Sequence, residues 1–179
     1  MIVGHKTRLR AIEREDIPTF VKWFNDPEVR HYLEMYLPMS KAAEEEWFEA
    51  HLKDDSSRIF AIETEEGVHI GNVGLHQLDW KNRNAFLGIV IGEKEYWGRG
   101  YGSDAIIALL DFAFNEMNLH RVHLSTYDFN QRAIRCYEKC GFRHEGRARE
   151  AHFTDGRYHD SLLMAILRKE LVSEDLSKT

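Results

Sequence analysis

Polar and apolar positions alternate from Thr7 to Ile12, the period-two pattern of a short strand with one buried face. The period then changes. Phe20, Val21, Trp23 and Phe24 recur at helical spacing behind Asp16, which is placed to cap a helix ending near Asn25-Asp26-Pro27. A short helical segment, Glu28 to Leu33, follows, and Ser40 caps a further helix carrying Trp47, Phe48 and Leu52. Strand patterns return at Arg58 to Thr64 and Val68 to Leu78, joined around Glu65-Glu66-Gly67. The turn Lys81-Asn82-Arg83-Asn84 leads into the apolar run Phe86-Leu87-Gly88-Ile89-Val90-Ile91. Ala105, Ile106, Leu109, Leu110, Ala113 and Phe114 mark a long amphipathic helix, and Arg121 to Tyr127 a strand. Asn130 opens a helix with Ala133, Ile134 and Tyr137 that Gly141 ends. Phe142 to Phe153 and Tyr158 to Leu167 form a hairpin about Asp155-Gly156. The order β-α-α-β-β-β-α-β-α-β-β predicts a mixed α/β fold, its sheet mostly antiparallel with helices on both faces.

A chain of 179 residues, 43% hydrophobic, suits one compact domain, here residues 1–171, with 172–179 as a frayed tail. There is no apolar run long enough to span a membrane, and residues 1–10 lack the apolar stretch of a signal peptide, so a cytoplasmic protein is expected. A net charge of -6 argues against nucleic acid as a partner and favours a cationic substrate through long-range steering. Glu44-Glu45-Glu46 and Asp54-Asp55 read as solvated helix surface. Cys136 and Cys140, four apart on a helical segment, read as buried or half-buried thiols, not a redox or zinc pair.

The candidate chemistry centres on Trp97-Gly98-Arg99-Gly100-Tyr101-Gly102-Ser103-Asp104-Ala105. A strand precedes it and a helix begins inside the glycines, which gathers free backbone N–H groups and a positive helix end at one point. An anion, most simply a phosphate, is expected there. The spacing G-x-G-x-G is neither the dinucleotide fingerprint nor a P-loop, which disfavours a nucleotide-binding domain. A glycine turn that merely caps a helix stays open on the residues alone.

Two segments together resemble the GNAT family of N-acetyltransferases. Trp97 to Gly102 is similar to the family's acetyl-CoA pyrophosphate loop, usually [Gln/Arg]-x-x-Gly-x-[Gly/Ala], with Trp97 in the place of Gln or Arg. Asn130-x-x-Ala133-x-x-x-Tyr137-x-Lys139-x-Gly141-Phe142 is similar to its second cofactor motif. The branch resembled most holds ribosomal-protein N-acetyltransferases and spermidine acetyltransferase-like enzymes. The resemblance implies that the amides of Gly98, Gly100, Tyr101 and Gly102, with Arg99 beside them, hold the diphosphate of acetyl-CoA. It implies that a backbone N–H after a bulge, in the region of Ile89, Val90 and Ile91, polarises the thioester carbonyl. Tyr137 is implied as the acid that protonates the leaving thiolate. Asn130 is either a cofactor contact or only a helix N-cap.

Phe86 stands where relatives often carry a glutamate base. An amine of pKa about 10.4 needs about 4–5 kcal/mol to be neutral at pH 7, an α-amine only ~1 kcal/mol. The missing glutamate therefore tilts the acceptor toward a protein or peptide N-terminus, and the acidic surface toward a polyamine. Another small amine stays open. Glu34, Glu150 and His152 are substitute candidates for the base. His152 and His159 face each other across the last turn as a cross-strand pair, His120 and His123 point to opposite faces, and no metal is expected. Homodimers are common in the family. The rival to an enzyme is a CoA-binding regulatory module of the same fold.

Overall fold

The computed structural model describes residues 1–171; the tail 172–179 lies outside the described residues. Eight strands form one sheet: β1 (Ile2–Val3), β2 (Thr7–Ala11), β3 (Arg58–Thr64), β4 (His69–Asp79), β5 (Asn84–Ile91), β6 (Arg121–Tyr127), β7 (Arg143–Thr154) and β8 (Arg157–Leu167). Their spatial order is β1-β2-β3-β4-β5-β6-β8-β7. Every neighbouring pair is antiparallel except β5 and β6. The mixed, mostly antiparallel sheet follows the sequence pattern; β1, two residues long, has no alternation by which to be found.

Helices cover both faces because the strands alternate their apolar residues. On β3, Ala61 faces a cluster with Phe20, Trp23, Val29 and Phe48, contributed by α1 (Ile17–Asn25), α2 (Pro27–Arg30) and α3 (Lys41–His51). Its neighbour Ile62 faces the other cluster, with Ile106, Leu109 and Phe114 of α4 (Tyr101–Asn115) and Tyr137 of α5 (Gln131–Lys139).

Two helix starts differ from the sequence reading. Asp16 precedes α1 but its side chain does not cap that helix. Arg10 holds the two Asp16 oxygens at 2.7 and 2.9 Å, and the Glu13 amide donates to the carboxylate at 2.8 Å, so Asp16 closes a 3-10 turn, Arg14–Asp16, and ties it to β2. The second helix begins at Pro27 and ends at Arg30, well short of Leu33. Asp26 sets that start by accepting the Glu28 amide at 2.9 Å, with proline preorganised in the first turn.

The decisive feature is where β5 and β6 stop pairing. Asn84, Ala85 and Phe86 lie opposite Arg121, Val122 and His123, and the ladder ends there. β5 continues against β4 to Ile91, and β6 continues against β8 to Tyr127. Two strands that each keep one partner but lose one another must splay, and they leave a cleft between them.

Asp104, in the first turn of α4, anchors the sheet edge to this cleft. Its carboxylate accepts the amides of His5, Lys6 and Thr7 at 3.0, 3.0 and 2.9 Å and the Thr7 hydroxyl at 2.7 Å. Hydrogen bonds to a charged group contribute about 1.5–3 kcal/mol each when the partner is removed. Asp104→Ala is expected to lower unfolding stability by roughly 3 kcal/mol, measured by urea denaturation; a loss below about 0.5 kcal/mol would show that the anchor is redundant.

Candidate active site

The splay opens a cavity of about 640 Å³, walled by β5 from Phe86 to Ile91 on one side and by Ser125, Thr126 and Tyr127 of β6 on the other. Ile89, Val90 and Ile91 all line it. The bulge expected in β5 is not there. The β4–β5 register runs unbroken from Gly71/Ile91 to His76/Phe86, and its shift lies between His76 and Asp79, where Gln77 takes φ +51°. The backbone of β5 is open to the cleft because β6 has turned away.

At one end of the cleft the glycine turn enters α4. Gly98 and Gly100 adopt φ +72° and +87°, a conformation that favours glycine, and Gly100 stands at the N-cap. Among the described residues the amides of Gly98, Arg99, Gly100, Tyr101, Gly102 and Ser103 donate no hydrogen bond. A row of free N–H groups at a helix N-terminus is an anion seat. Asp104, the acid of this turn, spends its charge on the β1–β2 backbone.

The loop's side chains divide. Gly98, Gly100, Gly102 and Trp97 line the cleft, but Arg99 and Tyr101 do not. The Arg99 guanidinium lies over the rings of Tyr96 and Tyr101 at 5.5 and 5.9 Å and donates to the Glu95 carbonyl. These two residues offer amides, not side chains. Trp97 donates from Nε1 to the Ile91 carbonyl at 2.6 Å, which pins the loop to the end of β5.

The cations that do face the cleft come from α5. Arg132, Arg135 and Lys139 line it, and among the described residues none of them has an ion-pair partner. Their spacing, i, i+3 and i+7, places them on one helix face, a signal the sequence carried and the motif reading passed over. The Arg132 guanidinium stacks on Trp97 at 3.7 Å and on Tyr32 at 5.0 Å. Burial lowers its pKa from the ordinary arginine value, as befits a half-buried cation without a counter-anion.

Asn130 caps α5, its side chain accepting the Ala133 amide at 3.2 Å, and it also lines the cleft. Tyr137 lines the cleft as well, its ring 5.9 Å from Phe142 and its hydroxyl without a hydrogen-bond partner among the described residues. Burial, and then the nearby Cys136 and Cys140, push its pKa above the ordinary phenol value, so the phenol keeps its proton. Cys136 is half-buried and Cys140 buried, both free, although Cys140 closes the helix as its C-cap and does not lie within it.

A second cavity, about 470 Å³, opens on the α1–α3 side of the same strand. Its floor is a pair of glycines: Gly74 on β4 and Gly88 on β5 are register partners, flanked by Asn72/Val90 and His76/Phe86. Leu33, Glu34, Gly88, Ile89 and Val90 line both cavities, so the two spaces meet at β5. Phe24, Met35, Met39 and Trp47 make the walls apolar.

Glu44 also lines this second space, and here the acidic run departs from its reading as solvated surface. Glu44 is only 3% exposed. The helical period explains why: positions 44, 47, 48 and 51 share the inward face of α3. Its carboxylate has no hydrogen bond or ion pair among the described residues, and burial alone pushes its pKa up to about 7.

Of the three substitute bases, Glu34 lies where the cavities meet. His152 lines the cleft, its ring 4.4 Å from that of Tyr127 and paired in register with His159. Glu150 is exposed, with φ +52° in a β7 irregularity and its amide on Asp160, away from both spaces. Phe86 packs edge-on to His123 at 5.5 Å.

A raised pKa on a buried acid opposes folding. The effect is absent below the unfolded value of 4.5, grows as pH rises toward about 7, and is complete above it. Glu44→Gln is therefore expected to change stability by less than about 0.5 kcal/mol at pH 4.5 and to add about 2–3 kcal/mol at pH 8. Denaturant midpoints at the two pH values decide it, and an equal shift at both would mean that the carboxyl is solvated.

The description "Acetyltransferase (GNAT) domain" fits the family model that matches residues 6–143. Spermidine N(1)-acetyltransferase of Vibrio cholerae is 32% identical over 167 residues, covering 92% of this chain and 95% of that protein. A putative ribosomal N-acetyltransferase of Bacillus subtilis, YdaF, is 34% identical over 109 residues, 61% of this chain and 59% of its own length. The crystal structure of spermidine N-acetyltransferase from Vibrio cholerae in complex with CoA and spermine superposes with a TM-score of 0.87 at 32% identity, over 92% of this chain and 97% of that one. With an anion seat at a glycine turn, a splayed strand pair and this match in sequence and structure, the chain belongs to the GNAT family of acetyltransferases.

Proposed function

We propose that the protein transfers an acetyl group from acetyl-CoA directly to a primary amine, with Tyr137 as the general acid. The observation that carries this reading is the β5–β6 splay, which sets an open strand edge between a row of free amides and a buried tyrosine. Acetyl-CoA supplies a thioester carbonyl and a thiolate leaving group, and the groups present suit it. Its diphosphate suits the amides from Gly98 to Gly102, while its remaining phosphate suits the cation face of Arg132, Arg135 and Lys139. Asn130 and Trp97 hold the two ends of that seat in place.

The reaction makes three demands on the chain. Negative charge developing on the carbonyl oxygen needs a fixed donor, and the backbone of Ile89 to Ile91 is the open edge that offers one. The departing sulfur needs a proton, which Tyr137 keeps through neutral pH because burial disfavours its phenoxide. A buried phenoxide is unstable, so Tyr137 must regain a proton as it gives one, and the amine nitrogen has one to lose. The acceptor must reach β5 from the second cavity, which meets the cleft at Gly88, Ile89 and Val90. Polyamines, the acceptors in the relatives' names, and N-terminal α-amines both meet that demand.

Tyr137→Phe removes one hydroxyl without changing the ring. It is expected to reduce kcat by about 10²–10³ while leaving the acetyl-CoA Kd unchanged, read by free thiol release and by calorimetry. Unchanged thiol release would remove Tyr137 from the chemistry, and binding without turnover in the unaltered protein would mark a regulatory module. Arg135→Ala is expected to raise the acetyl-CoA Kd about tenfold at 20 mM salt. The gap should narrow at about 0.5 M salt, because screening weakens an exposed phosphate contact. A gap insensitive to salt would point to lost packing instead.

A further inference from the structure

The second cavity holds a carboxylate that the fold does not use. Glu44 is almost wholly buried, lines the cavity and lacks any partner among the described residues. A buried carboxylate without a donor destabilises the protein that carries it, unless the donor arrives as a ligand. The surrounding elements bring no cation. On α3, Lys41 reaches outward to Glu45 at 3.6 Å, while His51, on the same inward face as Glu44, is held toward the neutral form by burial; on α1, Lys22 pairs with Glu93 at 2.6 Å. On β3, Arg58 pairs with Asp55 at 3.7 Å. β4 offers His76, which burial holds toward the neutral form, and the segment after α2 adds a second acid, Glu34. β5 contributes only Gly88, Ile89 and Val90, all uncharged.

The location matters as much as the want of a partner. Phe86 stands opposite His76 in the β4–β5 register, and His76 lines the cavity that Glu44 enters. Glu44 thus enters, from α3, the space that His76 lines beside Phe86. We propose that Glu44 receives the ammonium of the acceptor in this cavity and takes its proton, the acceptor being a primary alkylammonium whose apolar stem lies against Phe24, Met39 and Trp47. The inference rests on the acetyl-transfer reading above.

The balance is simple. The ammonium gives one proton to the Glu44 carboxylate, and the neutral nitrogen then forms a bond to the thioester carbon as the carbon–sulfur bond breaks. The sulfur takes the Tyr137 proton, the nitrogen's second proton restores Tyr137, and Glu44 passes its own to water. A carboxyl whose burial has raised it to about 7 accepts a proton more readily than an ordinary one.

The test compares the full-length protein with Glu44→Gln and Glu44→Asp. The probes are spermidine, n-hexylamine and a peptide beginning with alanine, with amine binding measured by calorimetry in the presence of CoA. For each amine that turns over, kcat/KM is followed from pH 5.5 to 9. The Gln variant is expected to keep its acetyl-CoA Kd and to lose at least about 20-fold in amine binding at pH 8. It should also lack the rise in kcat/KM centred near pH 7, which Asp should partly recover. Amine binding within threefold of the unaltered protein, an unmoved pH rise, or no amine binding even without substitution overturns the proposal. Amine binding that depends on Glu44 but gives no thiol release supports the carboxylate's place in the site and removes the acetyl-transfer reading instead.

Discussion

Strand pairing is normally the strongest local demand in a sheet, since each unpaired backbone group must find another partner. In this chain β5 and β6 meet that demand together for three residues and then abandon it. Each keeps its other neighbour, so neither strand unravels. The edge left open on β5 lets an extended ligand lie against backbone within the sheet. The glycine turn, the N-terminus of α4 and Tyr137 of α5 all face that opening.

The same economy shows in the polar groups. At some distance from β5 charged groups are well satisfied: Arg10 saturates Asp16, and Asp104 gathers three amides and a hydroxyl. Around β5 they are not. Free amides from Gly98 to Ser103, a guanidinium stacked between two aromatic rings and a partnerless carboxyl lie within two adjoining cavities. Positive groups collect on the cleft side and the acids Glu34 and Glu44 toward the α1–α3 side. That division matches an anionic donor entering from one side and a cationic acceptor from the other.

Most of the architecture was legible because long, periodic segments carry their own evidence. The glycine turn, the long helix and the Asp155-Gly156 hairpin lie where the sequence puts them, since local chemistry decides each. What the pattern leaves open is side-chain direction. Asp16 looks like a cap by position, but Arg10, six residues earlier on a strand, takes it. Arg99 is expected beside the diphosphate, and its guanidinium lies over the rings of Tyr96 and Tyr101. Glu44 looks like one of three surface acids, and only phasing it with Trp47 and Phe48 turns it inward. Side-chain direction depends on which neighbour wins, and a pattern of residue types does not rank competitors that lie within a few residues of one another.

The paired glycines beneath the second cavity carry a consequence for how such a protein diversifies. The floor at Gly74 and Gly88 is bare backbone, so the depth of that cavity is set by two hydrogen atoms. A side chain at Gly88 would meet the half-buried His76 ring at 3.1 Å, whereas one at Gly74 would meet Ile59 and the Arg58 backbone. One side of the floor is bounded by a side chain alone and the other by backbone as well. Because Gly88 lines both spaces, any larger residue there narrows the second cavity and the cleft together. A change in this one residue is therefore felt on both sides of a single strand.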